Sequence, residues 1–191
     1  STATLTLVVP TITSITPDPA KTGGVVTVKG TNLDLVTKVT FNGNKVGTNN
    51  GGTAAEITVQ VPADALDGSL TLTTAADKTV TSSPITFVKP VIASLAPLDV
   101  QFNDQITVTG SDLDIVAKVR FGSGLEVTPS SVTASELKAS VPVGTTAGAI
   151  TLITTNGSEV SSSQALNILA STNATITSMP TNAKPGEMID I

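Results

Sequence analysis

The chain contains no His, no Cys, no Trp and no Tyr, and only 13% of its 191 residues are charged. Without Cys there is no disulfide framework, no thiolate metal site and no Cys nucleophile. The missing His removes the ordinary general base for a Ser nucleophile and the imidazole ligand of metal centres. Sugar rings are usually held on the faces of Trp or Tyr, so a saccharide platform within these residues is not expected. A net charge of −5 and a pI near 4.5 argue against nucleic acid, whose binding needs clustered Lys and Arg. No apolar run approaches the ~18 residues of a membrane helix, and no charged segment precedes the apolar start. A signal peptide or lipid anchor would belong upstream of Ser1.

What the chain does have is repetition. PTITSITP (Pro10 to Pro17) faces PVIASLAP (Pro90 to Pro97), and VTVKGTNLDLVTKVTF (Val26 to Phe41) faces ITVTGSDLDIVAKVRF (Ile106 to Phe121), at a constant offset of 80 residues. The offset slips by one before the last strand, where Ile85 and Phe87 correspond to Leu166 and Ile168. Duplication of this kind implies a tandem array of small domains. Both ends fit the same pattern. ITSMP (Ile176 to Pro180) restarts it, and Leu5 and Leu7 precede Ile12 as Ile85 and Phe87 precede Ile92. The expected organisation is a strand of a preceding unit, or a leader, at 1–9, repeats at 10–89 and 90–169, and the start of a third at 170–191.

Period-two alternation predicts strands near 11–15, 25–30, 36–41, 44–47, 55–61, 69–74 and 79–88 of the first repeat. Turn signals separate them: Gly23-Gly24, Asn42-Gly43, the loop Asn49 to Gly52, and Asp67-Gly68. Asn42-Gly43 suits a two-residue hairpin because both positions tolerate positive φ. No segment sustains a helical period. A mean hydropathy of +0.29 excludes disorder, and the Thr, Ser, Val and Ala content suits pleated, half-buried surfaces. The spacing predicts an all-β fold of tandem two-sheet sandwiches of immunoglobulin-like type, without the Cys and Trp of antibody domains.

The order P-x-I-x-S-I-x-P, G-x-x-V-T-V-x-G-x-N-L, V-x-F-N-G, I-x-V-x-V-P and G-x-L-T-L resembles the IPT/TIG family of immunoglobulin-like repeats, an E-set type fold. Asn32 to Val39 (NLDLVTKV), with its counterpart Asp112 to Val119 (DLDIVAKV), is similar to repeats in surface glycan-binding lipoproteins of Bacteroidota. The resemblance implies an outer-surface protein beside a nutrient importer, in which rod-like repeats carry a glycan-binding terminal domain. Polysaccharide would then be bound by an adjacent domain, and outer-membrane importer components would be the partners.

Individual residues support no chemistry. Phe41, Phe121 and Phe87 fall on inward strand positions and read as core. Phe102, in the loop Gln101 to Asp104, reads first as a loop anchor and is otherwise the one candidate ligand-contact residue. Asp34 and Asp114 each precede a Lys by four residues, which suggests a charge pair or turn cap. Glu56 and Glu136 read as solvent-facing. Asp112 and Asp114 form a D-x-D, but Asn32 replaces the first of them in the other repeat and no ligand run follows, so no calcium or other metal site is assigned. No pair of carboxylates marks a glycosidase centre. No cofactor and no catalytic residue is expected.

The joint is informative as well. Only Val88, Lys89, Pro90 and Val91 separate Phe87 from Ile92, and Pro90 fixes its own φ and restricts Lys89. A stiff connection is expected there, and a looser one at Leu169 to Thr175. The sequence thus points to a non-enzymatic stalk of a bacterial cell-surface protein. A self-assembling surface-layer, fibre or phage component is the alternative, and a carbohydrate-active enzyme fits only if its catalytic domain lies elsewhere.

Overall fold

In the computed structural model, which describes residues 7–170, the chain forms two β-sandwich units with separate cores and no α-helix among the described residues. The expected strand at 1–9 is thus described only at Leu7 to Val9, and the third repeat, beyond Ala170, lies outside the described residues.

Unit 1 consists of β1 (Thr11–Thr16), β2 (Val25–Thr31), β3 (Val36–Asn42), β4 (Lys45–Gly52), β5 (Glu56–Gln60), β6 (Leu66–Thr74) and β7 (Thr79–Thr81). They are hydrogen-bonded in the order β1-β2-β5-β4-β3-β6-β7, and every pair is antiparallel. The ladder folds over at β4, which pairs with β3 through Lys45 to Gly47 and with β5 through Thr48 to Gly52. Gly47 sits at the crossing, where a Cβ would lie 2.6 Å from the Phe41 ring.

Unit 2 repeats the plan with β8 (Val91–Ala96), β9 (Asp99–Val100), β10 (Gln105–Ser111), β11 (Val116–Arg120), β12 (Glu126–Val127), β13 (Ser131–Val132), β14 (Glu136–Ser140), β15 (Gly148–Thr154) and β16 (Glu159–Ile168). Here the crossing strand is broken into β12 and β13, so two sheets of four and five strands stand apart. Pro129 lies in the gap and has no N–H to offer the ladder.

Alternation explains the cores. Val26, Val28, Leu33, Val39, Ile57, Val59, Leu70 and Leu72 are fully buried in unit 1, and their counterparts Ile106, Val108, Leu113, Val119, Leu137, Ala139, Ile150 and Leu152 are fully buried in unit 2. Phe41 and Phe121 are each 2% exposed, and Phe87 is 5% exposed with its ring centroid 6.4 Å from that of Phe41. Ile12 and Ile15 are three residues apart, which strict alternation would put on opposite faces. A bulge between Ile12 and Ser14 turns both onto the core, and unit 2 bulges likewise opposite Thr109 and Gly110.

Three local expectations are corrected. The loop expected at Asn49 to Gly52 is part of β4, whose register shifts between Asn49 and Gly52. There, Gly51 N–H bonds the Asn49 side chain, so local bonds replace ladder bonds while pairing resumes at Gly52. The β3–β4 hairpin turns on Gly43-Asn44, both at positive φ, one residue later than Asn42-Gly43. The last strand of unit 1, expected over 79–88, is regular only at Thr79–Thr81. Pro84 follows, and pairing returns as single bridges from Ile85 to Gly68 and from Phe87 to Ala20.

Gly30 and Gly110 allow the close approach at the bulge: a Cβ on either would sit 1.8 Å from the carbonyl oxygen of Thr11 or Val91. Gly110→Ala should therefore destabilise unit 2 by about 1–3 kcal/mol, read as an earlier urea transition of that unit alone. An unchanged midpoint would mean that β8 moves aside without cost.

Candidate functional site: the joint between the units

Among the described residues, one cluster of polar side chains links the two units. On the unit 1 side, Ala20 is pinned twice to the last strand: its N–H bonds Thr86 O at 2.8 Å, and its carbonyl accepts from Val88 N–H at 2.8 Å. Lys21 follows directly and is directed at unit 2. The other contributor is the loop after β5, Pro62 to Ala65, closed by a bond from Ala65 N–H to Pro62 O at 3.2 Å.

Unit 2 presents two turns. Asp112 has a φ of 53°, a left-handed value that Asp and Asn tolerate, and it opens a single 3-10 turn over Leu113–Ile115. The turn is held from below by Leu113 N–H on Ala134 O at 3.0 Å. The β15–β16 hairpin tip lies beside it, joined by Thr155 N–H on Ile115 O at 3.1 Å.

Contacts cross from both turns. Lys21 Nζ lies 3.0 Å from Asp112 Oδ1 and 2.8 Å from Asp114 Oδ1. Thr155 Oγ1 donates to Ala63 O at 2.7 Å, and Asn156 Nδ2 donates to Ala65 O at 3.1 Å. Asn156 is pre-oriented, because its Oδ1 accepts from Thr154 Oγ1 and from Ser158 N–H. Between these polar links Ile115 is only 6% exposed, whereas the equivalent Leu35 of unit 1 is 41% exposed. The expected pairing of Asp114 with Lys118 is therefore corrected. Lys118 bonds Glu126 at 3.0 Å, and Asp114 serves the other unit.

Magnitudes show what this cluster does. The three side chains of the ion pair are 34%, 34% and 42% exposed, and such pairs are worth about 0.2–1 kcal/mol each. That is too little to hold a loose joint shut by itself. Two bonds from one turn and two from the next, on a two-residue covalent connection, instead select one angle. The Lys21 pKa is raised above the ordinary 10.5, chiefly by its hydrogen bond to Asp114 and further by Asp112, with partial burial opposing. A raised Lys pKa contributes fully below the unfolded value and is lost as pH climbs through the folded one. The Lys21 amine thus stays charged at neutral pH, and its side of the clamp is lost in strong alkali.

Other candidates do not form sites. Phe102 is 39% exposed, and the other Phe side chains are in the cores, so no second ring faces it. A shallow groove between β1 and Ser82 to Ile85 carries Asp18, but Asp18 already accepts from Thr86 N–H and Oγ1, and Ser82 Oγ is bonded to Leu70 N–H and Ser83 O. Among the described residues, no group of three His, Cys, Asp or Glu could hold a metal ion. Glu56 and Glu136 pair with Lys29 and Lys138 on the surface.

Residues 10–88 match the family model described as IPT/TIG domain. The first unit is an IPT/TIG domain. Unit 2 carries the same bulge, core positions and 3-10 turn at the 80-residue offset. Among solved structures, the chain is similar to a protein crystallised with a xylogluco-oligosaccharide, at 20% identity and a TM-score of 0.43 over 85% of this chain and 41% of that one. A surface glycan-binding protein from Prevotella bryantii gives 16% identity and a TM-score of 0.41, over 82% of this chain and 42% of that one. The extracellular region of plexin A4 gives 20% identity and a TM-score of 0.43, over 84% of this chain and 18% of that one. The chain thus spans well under half the length of each. No curated protein matches it.

Of the joint residues only Asp112 and Asp114 draw notice in the sequence, as a D-x-D to which no metal is assigned. Their signal was the places where the repeats differ: Lys21 against Gln101, Asn32 against Asp112, Ala75 against Thr155 and Ala76 against Asn156. Because the chain has no native Cys, spin labels at Thr79→Cys and Ser131→Cys report the joint directly. Lys21→Met should broaden the label-to-label distance distribution while leaving the melting of both units unchanged, and raising the pH past the lysine range should do the same. An unaltered width in Lys21→Met would mean that Lys21 does not set the angle between the units.

Proposed function

We propose that this chain is a non-catalytic spacer: its IPT/TIG-type units set the reach of a cell-surface protein whose ligand is bound elsewhere. The observation that carries this reading is the clamp of Lys21 on Asp112 and Asp114, with Thr155 and Asn156 on the facing loop. Polar side chains bridge the two units, while among the described residues no cleft gathers acids, bases or rings. A spacer needs that distribution, and a catalyst or sugar platform needs the opposite.

The wider assignment rests on the NLDLVTKV and DLDIVAKV segments, which resemble repeats of surface glycan-binding lipoproteins of Bacteroidota. On this reading the protein is lipid-anchored at the bacterial surface beside an outer-membrane importer, and a neighbouring domain binds polysaccharide. A stiff spacer keeps that domain at a defined height, so the tether lowers the number of unproductive orientations.

Affinity electrophoresis in gels containing xyloglucan or mixed-linkage glucan tests the assignment of binding to another domain. The mobility of this chain should be unchanged by either polymer. Retardation at a Kd of about 1 mM or better, abolished by Phe102→Ala, would make unit 2 a binding module and end the spacer reading.

A further inference from the structure

The joint defines two complementary faces, and the chain displays one more of each. Unit 1 meets unit 2 through Lys21, Ala63 and Ala65, and Thr22, Asp64 and Lys45 adjoin them, Thr22 and Asp64 in sequence and Lys45 through its pair with Asp64 at 2.6 Å. At the 80-residue offset, unit 2 carries Gln101, Phe102, Leu125, Val143, Gly144 and Thr145. Both lysines and the aspartate have gone, and three large apolar side chains have come in. Phe102 is 39% exposed, Leu125 37% and Val143 67%. Their loops form one surface, because Asn103 N–H bonds Val141 O at 2.8 Å and a Cβ on Gly144 would sit 3.7 Å from Leu125.

The opposite end changes in the same sense. Where unit 2 offers Asp112, Ile115, Thr155 and Asn156 to the joint, unit 1 has Asn32, Leu35, Ala75 and Ala76. Charge falls, the two side-chain donors are lost, and Leu35 stands 41% exposed. Leu7 and Val8 lie beside Leu35, Thr74, Ala75 and Ala76. At the 80-residue offset they correspond to Phe87 and Val88, the end of the strand that leads from unit 1 into the joint. The chain therefore enters this face along the path that a preceding unit would use. A second copy docking in trans would have to share that path with Leu7 and Val8.

We propose that the two outward faces are sockets for further immunoglobulin-like units in the same chain, seated by apolar contact instead of the ion pairs of the internal joint. The proposal rests on the spacer reading and adds a chemistry to it. The internal joint is ionic and responds to salt, whereas burial of apolar surface is insensitive to screening. The occupant of the unit 2 face is a domain whose 3-10 turn carries apolar or neutral residues where unit 2 has Asp112 and Asp114. Such joints fall within the usual character of interdomain contacts, which are modest in area and partly apolar.

The test is hydroxyl-radical footprinting of the 191-residue chain beside the longer protein that carries the adjoining units. Labelling of Leu35, Phe102, Leu125 and Val143 should fall about sevenfold in the longer protein, the ratio of the 41% exposure of Leu35 to the 6% of Ile115 in the formed joint. The protection should be the same at low and high salt. Val143→Asp in the longer protein should restore labelling of Phe102 and Leu125 without moving the melting of unit 2. Equal labelling in the two proteins, the absence of a folded unit at either face, or protection lost at high salt would each overturn the proposal. So would protection that appears in the short chain as its concentration rises, which would make a second copy the occupant. These outcomes are separable from failure of the spacer reading, which glycan retardation of the short chain reports.

Discussion

Val88 donates to Ala20 O at 2.8 Å, and Val91 is already paired with Ser111 in β10. Between the last anchored residue of one sandwich and the first of the next there are thus only Lys89 and Pro90. Pro90 is buried, its φ is fixed by its ring, and it biases Lys89 to extended backbone. So short a tether limits the second unit to a narrow set of positions. Every contact of the joint is possible because this connection first brings the two turns of unit 2 within reach of Lys21 and the Ala63 to Ala65 loop.

Within that restriction the side chains choose a single arrangement. Lys21 alone could swing between acceptors, since its amine is a point charge on a flexible stem. The hairpin tip supplies what the ion pair lacks, namely two directional bonds from side chains aimed at backbone carbonyls. Asn156 is fixed by its own hairpin before it reaches unit 1, so little rotamer freedom remains to be lost on docking. The same scaffold, built twice, becomes either the giver or the receiver of these contacts by changing a few exposed residues. Of the positions that change, Ala65 belongs to the unit 1 core and Thr145 takes its place in unit 2, while the others lie outside the two core clusters, so the cores keep one pattern while the faces diverge.

Much of the fold was legible in the sequence. The alternation of Val26 and Val28, or of Ile57, Val59 and Val61, announces an inward face, and the constant offset transfers each assignment to the second unit. What alternation could not show was where ladders bend. The bulge that brings Ile12 and Ile15 to one face, the crossing of β4 at Gly47 and the early end of β7 before Pro84 depend on partners distant in sequence. The joint was half legible. The short connection through Pro90 is plain in the sequence, but Asp114 looked like the partner of Lys118 because the two lie four residues apart. That spacing has meaning on a helix, and here a 3-10 turn and a strand separate the residues and send Asp114 to Lys21.

The central claim is that the two sandwiches move as one body. Residual dipolar couplings measured separately for unit 1 and unit 2 in a weakly aligning medium test it most directly. Both units should report alignment tensors of the same magnitude and rhombicity, related by a single fixed rotation. A clearly weaker tensor in one unit would mean that the joint averages over many angles, and the clamp would then be an incidental contact between two independent domains.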